Sequence, residues 1–150
     1  MLLAYVLWNI YYKFGSYVFY GCAALIIGLY GFKTIDRNMT WQDDYTLYTT
    51  DVKVSNNSAK ALNAAGGVLV ERSINETDEN IKNQMLEQAK GYLNKALSIH
   101  PNYVNAWLLL GNAYFYSKAY DKAIDAYDQS LAINASYPDA MKNLAVALKE

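Results

Sequence analysis

The sequence predicts an all-α protein in two parts, a transmembrane helical segment followed by a solenoid of antiparallel helix pairs. Three observations predict it. The 150 residues change character near residue 33: Met1 to Phe32 carries one charge, Lys13, whereas Thr34 to Glu150 carries 11 basic and 14 acidic residues. An uncharged run of 19 residues, Phe14 to Phe32, closes the apolar part. Beyond it, small and bulky apolar residues recur at a spacing of 34, and no stretch alternates as a strand does.

Composition also narrows the function. A net charge of −1 supplies no basic face, so nucleic acid is not expected as a partner. Cys22 has no second cysteine to pair with, and His100 is the sole histidine, which leaves no zinc cluster. No Gly-rich phosphate loop follows a strand. Neither a cofactor nor a metal is expected.

The apolar end comes first. As a helix, Phe14 to Phe32 covers ~28 Å, close to the ~30 Å hydrocarbon core of a bilayer. Gly15, Ser16, Gly21, Ala23, Ala24, Gly28 and Gly31 are the small residues common where membrane helices approach closely. Tyr17, Tyr30 and Phe32 suit the aromatic belt at the interfaces. Met1 to Tyr12 is also apolar, yet one helix through residue 32 would reach ~48 Å, too long for a single span and too short for two. The reading is the tail of an earlier membrane helix, a turn near Asn9–Lys13, then one complete span. A cleaved signal peptide fits poorly, because no Lys or Arg precedes the first apolar residues. Lys13 before the span against Lys33 and Arg37 after it scarcely fixes an orientation. Sequons beginning at Asn38, Asn56, Asn75 and Asn134 would permit glycosylation in a secretory lumen, although an Asn-rich chain produces them by coincidence.

The periodic end follows. Trp107-Leu108-Leu109-Leu110-Gly111-Asn112-Ala113-Tyr114 reads W-x-x-L-G-x-x-Y. Ala123 lies twelve residues past Gly111, with Tyr127 four further on; Ala89 lies 34 before Ala123, with Leu93 behind it. Met141, Leu144 and Ala145 stand 34 beyond Trp107, Leu110 and Gly111. This pattern resembles the tetratricopeptide repeat (TPR). Its logic is physical: Gly111 and Ala123 are small where two helices cross closely, and Trp107, Leu110, Tyr114 and Tyr127 fill the space around that crossing. Ser117 to Tyr120 forms the turn, with Asp121 at the start of the second helix. Ala135 stands where the repeat usually has Pro, and Ser130 where it has a small apolar residue.

In the preceding repeat Leu62, Ala65, Gly66 and Leu69 form the first helix, but Gly66 to Ala89 is 23 residues where Gly111 to Ala123 is 12. Eleven residues are therefore inserted within 73–85, with Ile74 to Glu79 expected as a polar loop and Thr77 or Asp78 as the cap of a long second helix. That helix carries Ile81, Met85, Leu86, Ala89, Leu93, Ala96 and Leu97 on one face. Pro138 to Glu150 forms the first helix of a third repeat, either a capping helix or the start of further repeats. The organisation is thus 1–33 membrane segment, 34–57 junction with a short helix, and 58–150 about two and a half repeats.

The junction narrows the identity. Thr40 is a candidate N-cap with Asp43 supporting the helix start, and Trp41, Tyr45, Leu47, Tyr48, Val52 and Val54 supply apolar contacts to membrane interface and first repeat. Arg37-Asn38-x-x-Trp41-x-Asp43, then Leu47-Tyr48, then Asp51 to Ala61, resembles the last-span-to-repeat junction of the transmembrane and TPR-containing O-mannosyltransferase family and its bacterial relatives. The resemblance covers residues ~14–150. It implies a multi-span, GT-C-type glycosyltransferase whose C-terminal repeats sit on the lumenal or extracytoplasmic side. Catalysis would then lie in earlier membrane segments, and this chain would be the non-catalytic part. Asp43 and Asp44 are read as cap and dipole partners, and His100 as structural.

Stacked repeats of this kind present a concave face made by their first helices. The register places Asn105, Leu108, Asn112, Phe115 and Tyr116 on it from the second repeat. Lys60, Asn63, Gly67 and Glu71 come from the first, and Asp139, Lys142, Val146 and Lys149 from the third. Asn105, Leu108, Asn112, Tyr116 and Lys142 form the candidate peptide-binding groove. The expected partners are a polypeptide, as ligand or acceptor protein, and the lipid bilayer. The function expected is a membrane-tethered interaction module; the alternative is a stand-alone membrane adaptor or assembly scaffold unconnected with glycosylation.

Overall fold

The computed structural model describes Tyr5, Tyr11–Tyr12, residues 15–39 and residues 43–150, without the side chains of residues 36, 37 and 39. Among the described residues there are seven helices of more than one turn and no strand. They fall in two compact units, Met1–Gln42 and Asp43–Glu150.

The first unit holds α1, Ser16–Met39. Gly15 precedes it with φ 82°, a left-handed conformation that glycine adopts without a Cβ penalty, so the chain breaks there. Gly15 N–H donates to Tyr11 O at 3.1 Å, and the Tyr11 and Phe19 rings meet edge to face at 5.6 Å across the break. The turn expected at Asn9–Lys13 and the earlier span lie largely outside the described residues. Helix α1 does not stop at Lys33 as the charge pattern suggested; it runs on through the junction to Met39. Ser16–Ile35, 20 residues, is long and apolar enough to cross a membrane, and none of it is buried against protein. Tyr17 is 92% exposed, Ile27 71% and Phe32 74%.

The second unit stacks six helices, α2 Asp44–Val54, α3 Ala59–Ile74, α4 Glu79–Ile99, α5 Val104–Tyr116, α6 Tyr120–Ile133 and α7 Pro138–Ala147. Helix α3 pairs with α4 and α5 with α6, while α5 also packs on α3 and α4, and α7 on α6 and α5. Each start has a local cause. Asp43 is the N-cap of α2, its Oδ1 accepting from Thr46 N–H at 2.7 Å; Thr40, the expected cap, lies outside the described residues. Ser58 caps α3 and Asp78 caps α4. The turn between α5 and α6 is a Schellman motif, with Ala119 N–H donating to Tyr114 O and Lys118 N–H to Phe115 O. Lys118 takes the left-handed position, φ 59°.

The pairs close on glycine. A Cβ on Gly66 would stand 2.6 Å from Leu93 Cγ, and one on Gly111 would overlap the Tyr127 ring. Ala65, Ala89, Ala96, Ala113 and Ala123 are fully buried beside these crossings. One apolar core runs through α2 to α6 around Leu62, Leu69, Leu86, Leu93 and Leu110; a second joins α5, α6 and α7 around Leu108, Ala123, Tyr127, Ala140 and Ala147. Helix α2 closes the open side of α3 with Val52, Tyr45 and Tyr48, and the Arg72 guanidinium lies over the Tyr45 ring at 4.3 Å. Val54, at the end of α2, is 86% exposed.

The eleven extra residues of the first pair go mostly into helix, with a short polar connection at 75–78 and Asp78 as the expected cap. Helix α3 has 16 residues against 13 in α5, α4 has 21 against 14 in α6, and the connection of four residues is one longer than Ser117–Ala119. The hairpin has grown by helical turns, a longer reach with no added loop-closure cost. Ile81, expected on the apolar face of α4, sits on that extension and is 42% exposed.

Candidate functional site

The first helices of the two pairs, α3 and α5, form the walls of an open cleft of about 380 Å³, with Tyr48 contributed by α2. From α3 come Asn63, Ala64, Gly67, Val68, Val70, Glu71 and Ile74; from α5 come Asn105, Leu109, Asn112 and Tyr116. A second, smaller hollow of about 140 Å³ opens between α5 and α7, lined by Asn112, Phe115, Tyr116, Tyr127, Asn143 and Val146. Asn112 and Tyr116 therefore border both.

Of the five groove residues read from sequence, Asn105, Asn112 and Tyr116 meet in the larger cleft. Leu108 does not belong there. It is 6% exposed and packed with Ala123, Tyr127 and Ala140, while its neighbour Leu109 faces the cleft. On a helix one residue is a turn of about 100°, enough to exchange wall for core. Lys142 is exposed on α7, and neither cleft includes it in its lining. Asn63, Gly67 and Glu71 do fall on the opposite wall. Tyr48, expected as an apolar contact to membrane interface and first repeat, also lines the cleft, which the repeat register could not show because the junction lies outside it.

Two side-chain oxygens of the α5 wall are already engaged. Asn112 Oδ1 accepts from Tyr127 Oη at 2.8 Å and from Asn143 Nδ2 at 2.8 Å, which ties α5 to both α6 and α7. Asn105 Oδ1 accepts from Tyr137 Oη at 3.1 Å. Burial, and after it the Tyr116 phenol, push the Tyr127 pKa far above the ordinary tyrosine range; burial and then Asp139 raise Tyr137. Both phenols stay protonated and remain donors. Ser130, in a slot usually held by a small apolar residue, donates its fully buried hydroxyl to Val104 O at 3.1 Å.

The α3 wall differs. Asn63 is 7% exposed, and its Oδ1 is buried with no hydrogen-bond partner. An amide oxygen left so typically costs ~1–3 kcal/mol. Glu71 is exposed and pairs with no cation among the described residues, where the ion pairs are Lys82–Glu79 and Lys90–Glu87. Gly67 leaves the cleft open between these two, since a Cβ there would come within 3.1 Å of Leu109 Cδ1. Asp43 spends its charge on the cap: the Thr46 N–H holds its pKa below the usual value. His100 is exposed at the end of α4, its ring tilted against Tyr103 at 5.6 Å.

Comparison with known proteins agrees with this architecture. The tetratricopeptide repeat family pattern matches residues 104–137, which span α5, α6 and the turn after them. The TPR domain of Arabidopsis OM64 superposes with a TM-score of 0.61 at 18% identity, over 79% of this chain and 88% of that one. Protein O-mannosyl-transferase TMTC3 of Mus musculus is 32% identical over 93 residues, 62% of this chain and 9% of that protein. Protein O-mannosyl-transferase TMTC2 of Mus musculus is 42% identical over 71 residues, 47% of this chain and 8% of that protein. The match thus spans less than a tenth of those relatives' length. The chain thus carries one matched tetratricopeptide repeat within a TPR-like helical fold, and it is similar in sequence to part of these O-mannosyl-transferases.

Proposed function

We propose that this chain is a membrane-tethered, non-catalytic module that holds polypeptide, the C-terminal part of a GT-C-type O-mannosyl-transferase-like protein, with its repeats on the lumenal or extracytoplasmic side. The observation that carries the reading is the cleft between α3 and α5. Its walls present amides, aromatic rings and one carboxylate, groups that bind an extended chain by hydrogen bonds and contact area. Tethering rests on α1: the predominantly apolar stretch Ser16–Ile35, unburied by protein, is costly in water and at home in a bilayer.

The test uses the full chain. It should fractionate with membranes and resist carbonate extraction. In detergent it should retain an acceptor polypeptide without transferring sugar to it from a lipid-linked donor. Recovery in the soluble fraction without detergent overturns the tether. Sugar transfer by this chain, lost on Asp43→Asn, overturns the non-catalytic reading. The scaffold alternative draws on Met141 and Leu148, 54% and 65% exposed at α7 and its C-cap, which another protein surface could cover.

A further inference from the structure

We propose that Asn75 and Asn134 are N-glycosylation sites, each taking an oligosaccharide from a lipid-pyrophosphate-linked donor in a secretory lumen. The proposal rests on the reading that the repeats are lumenal. Sequons begin at Asn38, Asn56, Asn75 and Asn134, and the fold sorts them by position and by the duty of each hydroxyl. Residues 43–150 hold seven asparagines on helices and five between them. None of the seven begins a sequon, whereas Asn56, Asn75 and Asn134, all exposed, lie between helices. A transferring enzyme must bend its acceptor strand, which an exposed connection permits and a hydrogen-bonded helix resists.

Helix capping accounts for one of these three. Ser58, two residues after Asn56, caps α3, its Oγ accepting from Ala61 N–H at 3.3 Å. The other two hydroxyls have no such duty. Asp78 rather than Thr77 caps α4, and Tyr137 rather than Ser136 holds the N-cap position of α7. Among the described residues the Thr77 and Ser136 hydroxyls make no hydrogen bond, and neither do Nδ2 of Asn75 and Asn134. Asn75 is the C-cap of α3 and Asn134 that of α6, and neither lines the cleft or the smaller hollow, so a sugar chain at either leaves both open. Asn38 differs. It is helical and three residues beyond Ile35, ~4.5 Å along α1, within a headgroup layer ~5–7 Å deep.

In the transfer, Nδ2 attacks C1 of the donor sugar and a C1–N bond forms. The bond from C1 to the pyrophosphate oxygen breaks, the lipid pyrophosphate leaves with its electron pair, and an amide proton passes to a base of the transferring enzyme.

The experiment translates the full chain into microsomes that hold lipid-linked oligosaccharide, with an Asn-Gly-Thr acceptor tag appended after Glu150 on a flexible linker. Asn75→Gln and Asn134→Gln should each remove one sugar chain by gel mobility. Thr77→Ala and Ser136→Ala should do the same, with helicity by circular dichroism unchanged, since they alter the sequon and not a cap. Asn38→Gln should remove none. Peptide mass spectrometry after enzymatic deglycosylation should find aspartate at positions 75 and 134. If the tag carries sugar while Asn75 and Asn134 stay bare, the proposal is overturned and the lumenal reading stands. One bare site of the two overturns that site's assignment. If the tag is bare as well, the lumenal reading falls and the proposal with it.

Discussion

The two helix pairs solve one packing problem with different chemistry. In each, a glycine on the first helix receives a bulky side chain from the second: Leu93 over Gly66, Tyr127 over Gly111. Leu93 is aliphatic and ends its business there. Tyr127 continues through its hydroxyl to Asn112, which in turn takes Asn143 from α7. The second pair is thus knotted to its neighbour by polar bonds, and its wall has no unpartnered buried oxygen among the described residues. The first pair has Gly67 where the second has Asn112, and Asn63 where the second has Leu108. Same slots, opposite polarity. The second repeat spends polar groups on its own packing, and the first leaves one amide oxygen buried without a donor.

The comparison can be broken most forcefully at the glycines. Gly111→Leu should cost ~1–3 kcal/mol or more, because the Tyr127 ring is held by its hydrogen bond and cannot step aside. Gly66→Leu should cost less, since Leu93 has no such tether. Urea midpoints of the two variants measure the difference, and equal losses would show that the polar tie does not stiffen the ring. Tyr127→Phe isolates the tie and should cost ~1 kcal/mol. Asn112→Ala should cost at least as much, leaving Tyr127 and Asn143 without their acceptor. A binding deficit in Asn112→Ala therefore needs a melting curve beside it.

Smaller effects sharpen the picture. Lys118→Gly should stabilise the second pair by up to ~1 kcal/mol, for the side chain gains nothing evident in exchange for its left-handed backbone. Asp43→Ala should loosen α2 slightly, visible as faster amide exchange at Thr46. The same cap gives a sign for pH. Asp43 has its pKa lowered in the folded state, so its contribution is present above the ordinary aspartate value of 3.8 and is lost as pH falls through the lower folded value. Asp43→Asn should flatten that last part of the acid limb.

Legibility followed the physics. Gly111, Ala123 and Tyr127 announced a close crossing because only small residues admit one, and the structure puts the Tyr127 ring over Gly111. The period placed Asn105, Asn112 and Tyr116 on the concave wall, which is a matter of helical phase alone. It failed at Leu108, where one step of phase separates cleft from core and the neighbouring helix α7 decides. The inserted stretch was legible in part: its polar residues placed the connection and the Asp78 cap of a long second helix, while the count alone did not show that the preceding helix also lengthens. The orphaned oxygen of Asn63 has no sequence signature, since it reflects donors that are missing in space.

Gly67 and Leu109 carry one more consequence. They are the contact across which α3 and α5 approach each other, and they belong to successive pairs. The width of the cleft and the pitch of the superhelix are therefore a single mechanical coordinate. Anything that bridges both walls stiffens that joint as a splint does. Conversely, tension along the chain would open or pinch the cleft without touching its residues.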